Sequence, residues 1–180
     1  PQWIENAKGK CLNIWSAGCS TGEEPYTLVM VLEEFKRKNP MFNYSILATD
    51  VSFRVLQAAY QGIYSGDKVR VLPLDTQRKY LLRSKAQPDL YRIKPEYRKK
   101  IAYKRINLMD DVYPVTPNEF HIIFCRNVLI YFSKQVQEKL IRNFSSHLHG
   151  QGILFLGHSE SMMGMEVPLK QLRPTIYQVV

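Results

Sequence analysis

The chemistry available to this chain is concentrated first in a loop: Ala17, Gly18, Ser20, Thr21 and Gly22 are all small, and Glu23 and Glu24 follow directly. Side chains this small let another molecule approach the backbone closely. Leu12, Ile14 and Trp15 ahead of the loop form a short apolar run suited to a buried strand, and Pro25 behind it fits the first turn of a helix. Thr21 or Gly22 is placed to cap that helix, so the loop faces a partly positive helix end. A phosphate-cradling P-loop would close with Gly-Lys-Ser/Thr, whereas two carboxylates follow Gly22 and would repel a phosphate. The dinucleotide pattern G-x-G-x-x-G is also absent, because Gly18 and Gly22 stand four apart with serine and threonine between them. A ligand with a cationic end suits the loop better. S-adenosylmethionine, which carries a sulfonium and an ammonium, has that chemistry; the bland alternative is an ordinary tight turn between strand and helix.

Further candidates fall at the ends of other strand-like runs, where open α/β sheets bind their ligands. Asp50 closes the second run and can accept hydrogen bonds from both hydroxyls of a ribose, although acids at strand ends also begin helix caps. Asn107-Leu108 and Asn127-Val128 follow the next two runs. Arg126 reads equally as an ion-pair partner or as a substrate clamp. His158 and Ser159 offer a base and a nucleophile, but nothing places an activating acid beside them, so a structural reading is preferred.

The elements that must position these residues alternate at first. Leu28, Val31, Leu32 and Phe35 predict the apolar stripe of a helix ending at Asn39-Pro40, and Tyr44 to Thr49 predicts a strand closing on Asp50. Ser52 is placed to cap a second helix with Leu56, Ala59, Tyr60 and Ile63 on its apolar side, so the order β-α-β-α argues for a parallel sheet. Asp75 is placed to cap a short helix through Lys79, Tyr80, Leu81 and Leu82. Leu90 to Ile93 and Ile101 to Ile106 predict two strands of a small antiparallel insertion. Phe120, Ile122, Ile123 and Phe124 predict a central strand. Ser133 then begins a helix with Val136, Leu140, Ile141, Phe144 and Leu148 inward, stopped by Gly150 and Gly152. Ile153 to Leu156 and Thr175 to Val180 supply the last strands.

Several long motifs recur in order: Trp15-Ser16-Ala17 with Ser20-Thr21-Gly22-Glu23-Glu24-Pro25-Tyr26, Ala48-Thr49-Asp50, Cys125-Arg126-Asn127-Val128-Leu129-Ile130-Tyr131-Phe132, and Gly157-His158-Ser159-Glu160. From about Leu12 to the C-terminus the chain closely resembles the chemotaxis receptor methyltransferases, the CheR type of protein-glutamate O-methyltransferase. The resemblance implies an α/β, Rossmann-like, S-adenosylmethionine-dependent methyltransferase fold. Its sheet would be mostly parallel with an antiparallel last strand, and residues 1–180 would carry a small inserted antiparallel β-subdomain at about 84–106. It also implies that an N-terminal helical domain and a Thr/Phe/Arg-rich motif of the family precede this chain, so that the pocket here is incomplete. By resemblance Ala17, Gly18, Ser20 and Thr21 form the cofactor loop, an acid of the pair Glu23-Glu24 faces the amino-acid end of the cofactor, and Asp50 takes the ribose. Asn107 and Leu108 contact the adenine, and Asn127 and Val128 lie along the cofactor. Tyr131 is implied near the transferred methyl, although a tyrosine before Phe132 also fits half-buried packing. The products would be glutamate methyl esters on cytoplasmic chemoreceptor helices and S-adenosylhomocysteine, made by a cytoplasmic monomer without metal or nucleic acid.

Composition sets the outer bounds. Apolar residues at 45% with 23% charged suit a soluble globular domain, and no apolar run approaches the roughly 20 residues that span a bilayer. Cys11, Cys19 and Cys125 lack metal-ligand spacing and suit reduced thiols. Against 16 acidic residues stand 25 basic ones, a net charge of +9 that favours an anionic partner without selecting nucleic acid, anionic lipid or an acidic protein. Lys94, Arg98, Lys99, Lys100, Lys104 and Arg105, interleaved with Tyr91, Tyr97 and Tyr103, read either as a solvated edge that blocks strand pairing or as a docking surface. The rivals are a methyltransferase acting on RNA and a non-catalytic module that binds cofactor or docks a partner.

Overall fold

The computed structural model describes residues 11–180, so residues 1–10 of the expected domain range lie outside the described residues. Strand β1 (Cys11–Ala17) alternates faces: Leu12 and Ile14 enter one apolar cluster, Trp15 and Ala17 the other. Helix α1 (Glu23–Lys38), β2 (Asn43–Asp50) and α2 (Phe53–Gln61) follow. The chain then runs through β3 (Ile63–Ser65), α3 (Gly66–Val69), α4 (Leu74–Tyr80), β4 (Leu81–Arg83), β5 (Leu90–Ile93) and α5 (Pro95–Arg98). It closes with β6 (Ile101–Arg105), β7 (Phe120–Cys125), a 3₁₀ turn (Leu129–Tyr131), α6 (Lys134–His147), β8 (Leu148–Leu156), β9 (Leu169–Arg173) and β10 (Ile176–Val179).

The main sheet has the order β6-β2-β1-β7-β8-β10-β9. Its first five strands are parallel, and β10 returns antiparallel beside β8, as the family resemblance implies for the last strand. Strand order reverses between β1 and β7, so the crevice beyond their carboxyl ends is the natural ligand position. One core cluster, around Trp15, Ile123, Leu140, Ile141 and Phe144, lies on the α6 side; the other, around Ile14, Tyr26, Val29, Ile46 and Tyr80, lies on the α1 side. Trp15 is fully buried, and its indole N–H donates to Thr49 Oγ1 at 2.8 Å, which ties β1 to β2 through the core.

Several sequence expectations are corrected. A small antiparallel sheet is present, but its order is β3-β5-β4; of residues 84–106 only Leu90–Ile93 belongs to it. Ile101 to Ile106 instead supplies β6, parallel to β2 at the edge of the main sheet. An alternation of apolar and polar residues fits either kind of edge strand, so pattern alone does not choose the partner. In α1 the buried residues are Pro25, Tyr26, Val29 and Met30, whereas Val31 is 61% exposed and Phe35 packs edge-on against Phe42 at 4.8 Å. Two apolar stripes compete on this helix, and burial of Pro25 at its entry fixes the rotation. Tyr60 is exposed and Ile63 has left the helix for β3, because Gly62 in the left-handed conformation ends α2. Leu81 and Leu82 pair with Ile93 and Arg92 in the small sheet rather than continuing a helix. Asp75 does not cap α4, since Pro73 holds the cap position. Leu148 opens β8, so α6 ends at His147, before either glycine.

Candidate functional site

The loop after β1 is held open by backbone geometry. Gly18 and Cys19 both donate their N–H groups to Thr49 O at 2.8 Å, which pins the loop to the end of β2. Gly18, Ser20 and Gly22 all have positive φ, at 77°, 48° and 92°. At Gly18 a Cβ would stand 2.4 Å from Val128 Cγ2, so the loop after β1 and the turn after β7 approach as closely as they do only because residue 18 has no side chain. Gly22 occupies the cap position of α1 without a side chain to cap it, and Thr21 sends its hydroxyl to Glu23 instead.

The acidic pair divides. Glu24 accepts from Ser16 Oγ at 2.8 Å and faces Arg126 Nη1 at 3.4 Å, so it bridges the end of β1 and the segment after β7 across the crevice. Glu23 turns the other way, onto Thr21 and Lys68 of α3. Burial pushes the Glu23 carboxyl up, but the bonds from Lys68 and Thr21 outweigh it and hold the group below the usual carboxylate range. Of the pair, Glu24 is the one that spans the ends of β1 and β7.

Asp50 Oδ2 accepts from the Ser20 N–H at 2.9 Å and Oδ1 from the Ser52 N–H at 3.0 Å. Each oxygen has a further lone pair for an incoming hydroxyl. Cys19, buried beside it, has its thiol pushed up to about 12, by burial first and then by the Asp50 charge. It is an inert wall. Asn107 and Leu108 lie beyond β6, which neighbours the Asp50 strand, and the Ile106 N–H donates to Asp50 O at 3.1 Å. The Asn107 side chain closes its own turn through Asp110 Oδ1 and the Met109 N–H, while Leu108 is buried with its carbonyl taking the Tyr113 hydroxyl at 2.6 Å.

After β7 the chain turns sharply at Asn127, a non-glycine residue with φ of 59°. Val128 follows against the loop at Gly18, and Tyr131, 79% exposed at the end of the 3₁₀ turn, is free of the half-buried packing that the sequence left open. Sequence reasoning missed what holds this turn. Glu160, only 6% exposed, accepts from the N–H groups of Asn127, Val128, Leu129 and Gly157 at 3.1, 2.9, 2.8 and 2.6 Å. The signal was present in Gly157-His158-Ser159-Glu160, but the imidazole drew attention from the carboxylate. His158 and Ser159 themselves are exposed.

This donor set fits S-adenosylmethionine. Glu24 and Arg126 present one charge of each sign to an amino-acid end, Asp50 presents spare acceptors to a diol, and the close approach at Gly18 leaves the crevice lined by backbone. Among the described residues no cluster suits a metal ion, and no helix is long and apolar enough to cross a membrane.

Comparison with known proteins agrees. A chemotaxis protein methyltransferase of Borreliella burgdorferi is 40% identical over 97% of this chain and 61% of its own length. The chemotaxis protein methyltransferase Cher2 of Pseudomonas putida is 35% identical over 100% of this chain and 62% of its own length. The chain thus spans about three-fifths of the relatives it matches. Among solved structures, the CMeT domain of the citrinin polyketide synthase superposes with a TM-score of 0.53 at 18% identity, over 86% of this chain and 34% of that one, a likeness of fold alone. With the Rossmann-like fold shown by its sheet order and that likeness, the chain matches the model of the CheR methyltransferase SAM-binding domain over residues 1–177 and belongs to that family, whose name carries the S-adenosylmethionine cofactor.

Proposed function

We propose that the full protein containing this domain transfers a methyl group from S-adenosylmethionine to glutamate side chains on the cytoplasmic helices of chemoreceptors. The observation that carries the reading is Glu24, bonded to Ser16 and facing Arg126 across the β1–β7 crevice in a chain of this family. The cofactor, when bound, supplies a methyl group already activated on a sulfonium. A glutamate with a pKa of about 4.3 is already a carboxylate at neutral pH, so the protein needs no general base. Its residues have two tasks, alignment and exclusion of water from the nucleophile. Asp50 and Glu24 hold the two ends of the cofactor, Asn127 and Val128 bound it along its length, and Asn107 and Leu108 close the base end. Tyr131, exposed at the rim, meets the incoming glutamate beside the reacting methyl. The basic residues of 94–105 steer an acidic receptor surface.

The test is incorporation of tritiated methyl by the full-length protein into receptor cytoplasmic fragments and, separately, into RNA. Base-labile label released from the receptor as methanol supports the ester assignment; label in RNA, or base-stable label in protein, overturns it.

A further inference from the structure

We infer that Glu160 is a positioning residue for methyl transfer: its buried carboxylate sets the turn that carries Asn127 and Tyr131. The inference rests on the methyltransferase reading of the crevice. Glu160 acts through the turn and not on a ligand itself, because both its oxygens are committed to backbone N–H groups.

The two oxygens divide the work. Oε2 takes the N–H groups of Gly157 and Asn127, which locks the end of β8 to the end of β7. Oε1 takes those of Val128 and Leu129, the donors that open the 3₁₀ turn leading to Tyr131. Such N–H groups have no partner within the turn itself. Its other end is held by Gln137, whose amide donates to Leu129 O and Phe132 O, both at 2.9 Å. The turn is therefore clamped by side chains from β8's loop and from α6, while Tyr131 at its tip remains exposed.

Only an acceptor on both oxygens satisfies this arrangement. A glutamine would point its NH₂ at two N–H donors whichever way it lay, leaving two buried donors unpaired. The position of Asn127 depends on the same clamp, since its left-handed backbone is a conformation that non-glycine residues adopt only when their surroundings impose it. Gly157 reports the tightness: a Cβ there would meet Glu160 Oε2 at 2.7 Å and Asn127 N at 2.9 Å.

The experiment uses the full-length protein, with turnover measured at saturating S-adenosylmethionine, S-adenosylhomocysteine affinity by calorimetry, and thermal midpoint. Glu160→Gln is expected to lower kcat by about 10–100-fold, the order expected of a misplacement near 1 Å, at temperatures well below its midpoint. Combined with Tyr131→Phe it is expected to cost less than the product of the two, because both act through one turn. Where Glu160→Gln does not fold, Gly157→Ala pushes on the same carboxylate from the other side and is expected to lower kcat in the same way. A folded Glu160→Gln, or failing that a folded Gly157→Ala, with a lowered midpoint but wild-type kcat and affinity would make Glu160 purely structural and overturn the inference. If Tyr131→Phe alone leaves kcat unchanged, the role of the tyrosine falls, and the kcat of the Glu160 variant still decides this proposal. A wild-type protein that binds no S-adenosylhomocysteine would instead overturn the methyltransferase reading.

Discussion

Asp50 and Ser20 are joined by a bond of 2.9 Å from backbone N–H to carboxylate, which ties the end of β2 to the loop leaving the neighbouring β1. The same carboxylate braces the start of α2 through the Ser52 N–H. Asp50 therefore shapes the loop as well as keeping further acceptor positions beside it.

Asp50→Ala is expected to weaken S-adenosylhomocysteine binding by about 1–3 kcal/mol, the scale of a lost charge-assisted bond, and to lower the thermal midpoint because two N–H groups lose their acceptor. Calorimetric titration of the folded variant checks it. Unchanged affinity would remove Asp50 from the site.

Tyr131→Phe is expected to lower kcat more than cofactor affinity, because the proposed role of its hydroxyl is beside the reacting methyl and not in holding the adenosine. With the residue 79% exposed, the substitution should change folding stability by less than about 0.5 kcal/mol. Turnover and denaturant unfolding of the same preparation separate the two. Wild-type turnover would reduce the tyrosine to surface.

Lys99→Glu is expected to slow association with an acidic receptor fragment and to flatten its salt dependence, while leaving cofactor affinity unchanged. Lys99 is exposed, whereas Lys100 Nζ lies 3.7 Å from Glu33 and packs over the Tyr44 ring. Lys100→Glu should therefore also destabilise the fold by placing like charges together. Stopped-flow association at low ionic strength is the measurement, and a wild-type rate for Lys99→Glu would return the run to a solvated edge.

Alkaline pH is expected to unfold the protein cooperatively. Burial pushes the Cys19 thiol up to about 12 and pushes the hydroxyls of Tyr26, Tyr64 and Tyr103 above the ordinary tyrosine range. Unfolded, these groups ionise near about 8.5 for cysteine and 10 for tyrosine. The folded state then binds more protons than the unfolded one, so this stability is whole below those values and is lost as pH rises towards the folded ones. Ultraviolet difference titration should show these tyrosines ionising together with loss of circular dichroism. Ionisation without unfolding would contradict their burial.

The strands and the strand-end residues were legible in the sequence because they are written locally. The apolar run around Ile14 and Trp15, the small loop and the run from Phe120 to Phe124 each carry their own signal. What escaped depends on partners distant in the chain. Ile101 to Ile106 looks the same beside β5 as beside β2, and only the fold shows it pairing from Ile46 to Asp50. The rotation of α1 was set by Pro25 and Tyr26 against a sheet the helix does not contain. Glu160 was hidden for the same reason, since its worth lies in the N–H groups of residues 127–129, contributed by another strand end.

The placement of β6 also governs how the chain must assemble. β2 and β6 are adjacent, yet the whole of α2, the small sheet and α5 intervenes between Asp50 and Ile101. Closing that segment costs conformational entropy, though less than the pairing of β1 with β7, whose partners Ile14 and Ile122 stand farther apart in sequence than Ile46 and Ile101. Tyr103, on that edge strand, donates its hydroxyl to Ala59 O, the same carbonyl that receives Tyr26 from α1. The edge strand and α1 are thus fastened to one carbonyl of α2, so the helix that starts at the ligand loop is braced from the sheet edge as well.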